Sequence, residues 1–213
     1  MRKYLILFVL LFSIGTFIQA NAQTPCFCPG PYAQESITVP YSDGINTCLV
    51  TITYCNHHFK ENTIGGIAVR AMTICSISFP AGCTLTVDLS SSGFWNDMMM
   101  LIIEHDAATL DPLYIPDCND PDSYFTNFYY ELTKAQCWIL ENDLIQQMFV
   151  FTPCEGETAT CWKEFAVCYN TLGELVVQER QSQIIGTSNC SYEGSTILNP
   201  ETFPFDECFD TCY

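Results

Sequence analysis

Residues 54–59 read YCNHHF, and this stretch raises the question of metal chemistry first. A thiol at Cys55 followed by imidazoles at His57 and His58 is the donor mixture that zinc takes. Neighbours in an extended chain point to opposite faces, so His57 and His58 cannot easily grip one ion. The chain holds only one more histidine, His105. The residues therefore read as a strand-end cysteine, Cys55, followed by a solvated loop, NHHFKEN.

Nucleophilic hydrolysis needs a serine or cysteine held by a histidine and an orienting acid. The SSSG run at 90–93 lacks the Gly-x-Ser-x-Gly elbow, and His-Glu-x-x-His is absent. His105 lies between Glu104 and Asp106 on an expected helix, where adjacent side chains diverge, and reads as a solvated helix end. An exported hydrolase is the third-ranked function.

Calcium is the cofactor that the residue types suit best, although none is required. The loop PDCNDPD offers Asp117, Asn119, Asp120 and Asp122 within six residues, the oxygen donors that a weak extracellular calcium site uses. Proline stands where a ligand would fall and no glycine turns the loop, so a solvated acidic loop competes with the site. An aromatic surface is the other binding candidate. In strand geometry Tyr124, Phe128 and Tyr130 face one way while Phe125 and Tyr129 face the other. One set can fill a core while the other offers a platform to a glycan or a protein, and burial of both sets is the alternative.

These candidates depend on the compartment, and the N-terminus speaks to that. MRKYLILFVLLFSIGTFIQANAQ has Arg2 and Lys3, an apolar run from Tyr4 to Ile18, and Ala20-Asn21-Ala22 before Gln23. This is the pattern of a signal peptide over residues 1–22, and it resembles bacterial secretory signals. The run is shorter than the roughly 20 residues of a spanning helix, so no membrane span is expected after its removal. The expected location is extracellular, including the periplasm or cell surface. The remaining 191 residues carry five Lys/Arg against 24 Asp/Glu, a formal charge of −19. Such a surface repels nucleic acid and anionic membranes. Protein or glycan partners and self-association stay open.

Fourteen cysteines follow the leader: Cys26, Cys28, Cys48, Cys55, Cys75, Cys83, Cys118, Cys137, Cys154, Cys161, Cys168, Cys190, Cys208 and Cys212. An even number in an exported chain reads as disulfides. No Cys-x-x-Cys occurs, which removes the zinc knuckle and the thiol oxidoreductase signature. Fourteen cysteines allow about 10⁵ pairings, yet geometry prunes them. Seven steps of extended chain put Cys48 and Cys55 roughly 23 Å apart, beyond the ~7 Å limit of a bridge. Each must reach a different element. Cys26 and Cys28 take separate partners, and CEGETATC has a turn-like interior that could join Cys154 to Cys161. The sequon Asn189-Cys190-Ser191 is a poor acceptor because a bridged cysteine occupies its centre.

The elements that would position these residues are mostly strands. ESITVPY and CLVTITYC form two strands around the turn SDGIN. Residues from about Ile67 to Phe79 are a third. CTLTVDL alternates, with Cys83, Leu85, Val87 and Leu89 on one face, and reads as a half-buried edge strand. SSSGFWNDMMMLIIEHDAATLDP is the main helix, near 92–110, capped by Ser91 or Ser92, with a methionine stripe that reads as core. Strands near 128–140 and 145–152 form a hairpin, against a helical alternative over 124–139. CWKEFAVCYNTLGELVVQERQSQI is a second hairpin turning at 170–173, and the C-terminal tail is fastened across the body by its cysteines.

The expected class is α+β and β-rich, with disulfide-stapled antiparallel strands and hairpins in a sandwich-like arrangement. One domain spans 23–213, with two β-rich halves, about 26–90 and 124–213, flanking the helix. Cys48-x6-Cys55-x19-Cys75 and Cys161-x6-Cys168-x21-Cys190 share their spacing, which suggests an old duplication. The leading function is a non-catalytic cell-surface or extracellular component of structural or adhesion type. A glycan- or protein-binding module, with or without calcium, is the alternative.

Overall fold

The computed structural model describes residues 28, 30, 32–62, 67–83, 85–110, 114–119, 128–188, 190–192 and 207–212. Among the described residues nine strands and one long helix make up the regular structure: β1 (Ala33–Ser42), β2 (Thr47–Asn62), β3 (Ile67–Pro80), α1 (Ser92–Thr109), β4 (Phe128–Ala135), β5 (Cys137–Asp143), β6 (Met148–Pro153), β7 (Thr160–Tyr169), β8 (Leu175–Ile185) and β9 (Phe209–Asp210). The α+β, β-rich class is thus realised, with every strand in one nine-stranded sheet.

Strand β3 organises that sheet. One edge pairs antiparallel with β2, which pairs antiparallel with β1. The other edge is shared end to end: Ala68–Thr73 run parallel to β4, and Ile77–Pro80 run antiparallel to β6. From this seam the order continues through β7 and β8 on one side and β5 and β9 on the other. Val, Ile, Thr and aromatic residues dominate β2 and β3, the types that pack well on a pleated surface.

Helix α1 lies against the face where these strands meet. Ser91 caps it by accepting the Phe94 N–H at 3.4 Å. Its contacts reach Tyr41 of β1, Arg70 of β3, Tyr130 of β4, Trp138 of β5 and Phe151 of β6. Phe94, Trp95, Met98, Met99, Ile102 and Ile103 are buried, so the methionine stripe is core. One hydrophobic cluster runs from Ile37 in β1 to Phe209 in β9. Trp95 and Trp138 lie 4.7 Å apart at its centre. Each indole N–H donates to a backbone carbonyl, Leu89 and Ala135 respectively, so neither is buried unsatisfied.

Several sequence readings need correction. NHHFKEN is no loop: β2 runs on to Asn62, because this segment has a ladder partner in the start of β3, reached through a β-bulge between Asn56 and Phe59. The 128–140 strand is two strands. Gln136 divides them, since its N–H goes to Ala159 and its carbonyl receives Thr211, both outside the β4 and β5 ladders. The hairpin is β5–β6, whereas β4 lies between β3 and β7. Residues 83–89 keep the expected alternation, with Cys83, Leu85 and Leu89 buried and Thr86 and Asp88 exposed, but join no named strand.

Six bridges between described residues staple the sheet: Cys28–Cys55, Cys48–Cys83, Cys118–Cys168, Cys137–Cys190, Cys154–Cys208 and Cys161–Cys212. Cys75 is disulfide-bonded as well, and no described cysteine is free. Cys26 lies outside the described residues. Cys48 and Cys55 reach different elements, as strand length requires. Cys154 and Cys161 do not join. Both take tail cysteines, because Phe209 of β9 packs under Phe151 and brings the C-terminal segment alongside β5. A close approach supports the same corner. Gly186 has φ +93°, and a Cβ there would come within 3.2 Å of the Ala159 Cα, so only glycine fits. Within the two spacing-matched cysteine triplets, Cys48 and Cys161 both bond forward in sequence while Cys55 and Cys168 both bond backward.

Candidate functional site

Two polar constellations are buried in the body, and both consume residues that could otherwise do chemistry. In the first, Asp106 on α1 receives two hydrogen bonds from Arg70 of β3, Nε to Oδ2 at 3.0 Å and Nη2 to Oδ1 at 2.5 Å. Tyr130 of β4 donates its hydroxyl to Oδ2 at 2.8 Å. Asp106 falls one turn beyond Ile102 and Ile103, on the helix face that looks into the sheet, which is why this carboxylate is inside. Burial works against the charge on Arg70, but the hydrogen bonds and charge of Asp106 outweigh it and raise the guanidinium pKa. Burial, then the Asp106 charge, hold the Tyr130 hydroxyl far above its usual range.

A second carboxylate lies nearby on β1. Glu35 receives the Tyr54 hydroxyl at 3.1 Å and the Asn56 side-chain amide at 3.1 Å. Burial and the Glu35 charge raise the Tyr54 pKa in turn. His57 is held apart from this group, its Nε2 3.0 Å from Thr73 Oγ1 and its ring 4.0 Å from that of Tyr32. The carboxylates are therefore tied to tyrosine, arginine and amide donors within the sheet–helix interface, and the tyrosines stay protonated as donors.

Lys134 is the second constellation. Tyr130, Leu132 and Lys134 alternate on the inward face of β4, so the lysine enters the core and is only 2 % exposed. Its ammonium donates to the Thr211 carbonyl at 2.7 Å and to the Thr211 hydroxyl, and it sits 4.3 Å above the Trp95 ring. Burial pushes its pKa well below that of a free lysine. The unfolded chain thus holds a proton that the native state has shed across the interval from the lowered pKa to about 10.4. Stability should rise with pH through that interval. Lys134→Met should abolish the rise, measured as urea unfolding between pH 7 and 10 with the bridges intact; an identical pH slope in wild type and variant would refute the assignment.

The metal candidates resolve into disulfides. Sulfurs of Cys28, Cys55 and Cys75 cluster, as do Cys137, Cys190 and a Glu157 oxygen. Proximity alone suggests ligands, but Cys28–Cys55 and Cys137–Cys190 are bridges and Cys75 is oxidised, so these sulfurs have no thiolate to offer. His105 is exposed near the end of α1. A shallow pocket of about 120 Å³ lies beside the Cys137 and Cys154 bridges, lined also by Glu155 and Glu157. Sites that enclose a small molecule run to roughly 300–1,000 Å³.

Of the calcium candidates, Asp117 and Asn119 are described, and they bond each other: Asp117 Oδ1 accepts the Asn119 N–H at 2.8 Å and its side-chain amide at 2.9 Å. Asp120 and Asp122 lie outside the described residues. Of the aromatic candidates, Phe128, Tyr129 and Tyr130 are all buried, with Arg180 stacked on the Tyr129 ring at 4.7 Å. Both faces of β4 are covered at these positions, and Tyr124 and Phe125 lie outside the described residues. Sequence reasoning missed the Arg70–Asp106–Tyr130 group and Lys134. The phase of Asp106 on the helix and of Lys134 on its strand was the available signal.

No helix among the described residues is long and apolar enough to cross a membrane. Comparison with known proteins returns no match, whether to a protein family, a curated protein or a solved structure.

Proposed function

We propose that this protein is a non-catalytic extracellular component of structural or adhesion type. The observation that supports this reading most directly is where its ionisable groups are spent. Arg70, Asp106 and Lys134 are all buried and hydrogen-bonded within the sheet–helix interface, with Glu35 beside them binding Tyr54 and Asn56. Groups held this way rigidify a body, whereas a catalytic group must reach a substrate.

The bridges fit the same role. They tie both ends of the described chain to the sheet, which limits the local opening that proteases exploit. Such a body persists where an unstapled domain of equal core would be degraded.

Fractionation of the producing cells tests the reading. A structural or adhesion component is expected in the cell-surface fraction or as an assembly, without added ligand. Quantitative release into the culture fluid as a monomer would refute it.

A further inference from the structure

Two hairpin turns are built on one plan. In the β1–β2 turn, Asp43 Oδ1 accepts the N–H of Ile45 at 2.8 Å and of Asn46 at 2.7 Å. In the β5–β6 turn, Asp143 Oδ1 accepts the N–H of Ile145 at 2.9 Å and of Gln146 at 3.0 Å. Each aspartate closes an Asx turn over its own backbone, fixing the residue two places on. Both turns present an isoleucine to solvent: Ile45 is 82 % exposed and Ile145 91 %, with Leu144 at 79 %. The first turn is braced further, because Asp43 Oδ2 accepts the Thr86 N–H.

Strand register puts these tips at one end of the sheet. Thr51 stands opposite Ser78 and Met148 opposite Pro80, so both turns project beyond the end of β3. The strand order β1, β2, β3, β6, β5 separates them by three strand spacings, roughly 14 Å. Single exposed aliphatic residues are ordinary on a protein surface. A pair of braced Asp-x-Ile turns side by side is a built feature.

Charge selects the kind of partner. Asp43, Glu141 and Asp143 surround the tips. The cations whose side chains are described are all engaged elsewhere: Arg70 with Asp106, Lys134 with Thr211, Lys163 with Glu179 and Arg180 with Glu164. The end of the sheet is thus apolar at its points and anionic around them. Anionic headgroups are repelled by it, and so is the same end of a second copy.

We propose that Ile45 and the Leu144–Ile145 pair form a docking surface for a cationic, apolar-faced segment of a partner protein. This proposal rests on the adhesion reading and names its contact. Aliphatic side chains would enter pockets on the partner, while Lys or Arg around those pockets meet Asp43, Glu141 and Asp143.

A synthetic amphipathic Leu/Lys peptide is the probe, titrated against the full chain by fluorescence anisotropy. Ile45→Ser/Ile145→Ser is the test variant, and both sites are exposed enough to leave folding intact. Leu172→Ser, in the β7–β8 turn at the opposite end, is the control. The expected result is at least tenfold weaker binding for the double variant, none for the control, and weakening of wild-type binding with added salt. Equal affinity of wild type and double variant overturns the proposal, as does equal binding of polylysine of matched charge. Loss in the double variant of binding to phosphatidylcholine vesicles, or of self-association by sedimentation, instead of peptide binding overturns it in favour of lipid or a second copy. These failures with the protein still at the cell surface strike the docking surface alone, whereas release as a monomer strikes the adhesion reading.

Discussion

Replacing Asp106 with alanine is expected to destabilise the fold by about 3–5 kcal/mol, the range for removing one partner of a buried ion pair. Asp106 joins three elements, since it accepts from Arg70 on β3 and Tyr130 on β4 while sitting on α1. The alanine variant strips the Arg70 guanidinium of its carboxylate in a site that is 7 % exposed. Most of the loss is the cost of a buried charge without its counter-charge, and less of it is the net worth of the pair. A second variant separates the two. Arg70→Met together with Asp106→Leu removes both charges and should cost less than Asp106→Ala alone. Urea unfolding of the three proteins measures this; a double variant as damaged as the single one would contradict the account.

Trp95→Ala is expected to cost about 3–5 kcal/mol as well, through the cavity that a large aromatic leaves in a packed core. Trp95 is 1 % exposed and packs against Phe94, Trp138 and Phe151. It also carries the Lys134 ammonium on its face. The substitution therefore removes the helix's main anchor and the ring face against which the Lys134 amine rests. Disulfides keep the variant's unfolded chain compact, so the measurement should compare unfolding midpoints and slopes together. A loss below about 1 kcal/mol would mean that the site collapses readily or that Trp95 does not bear on the seam.

Much of this architecture could be read from residue order, and the reasons are local. Val, Ile and Thr in CLVTITYC favour a strand wherever it pairs, and Ser91 with the Phe94–Ile103 spacing specifies a capped amphipathic helix. The turns at 43–46 and 170–173 carry glycine at positive φ, Gly44 at 90° and Gly173 at 76°, which punctuates the sequence plainly.

What was not legible depends on distant partners. Strand β4 looks like half of a local hairpin, yet its ladders run to β3 and β7, chosen by the inward face of Tyr130, Leu132 and Lys134. His57 looks solvated until Thr73 of β3 and the Tyr32 ring are seen against it. Cys154 and Cys161 look like a closed turn, but the tail pinned by Phe209 offers each a nearer partner. Lys134 reads as a surface charge until its strand phase is set against the apolar residues two and four places before it. The site candidates fared unevenly for the same reason. Phe128, Tyr129 and Tyr130 carry an aromatic pattern compatible with display or core, and only the covering of both faces of β4 decides for core.

Covalent cross-links spanning the sheet, with the cysteines oxidised in one definite pattern, hold this body together. Non-reducing peptide mapping of freshly purified protein tests that claim most directly. The expected map joins Cys28 to Cys55, Cys48 to Cys83, Cys118 to Cys168, Cys137 to Cys190, Cys154 to Cys208 and Cys161 to Cys212. Predominantly free thiols, bound zinc, or a Cys154–Cys161 link would contradict it.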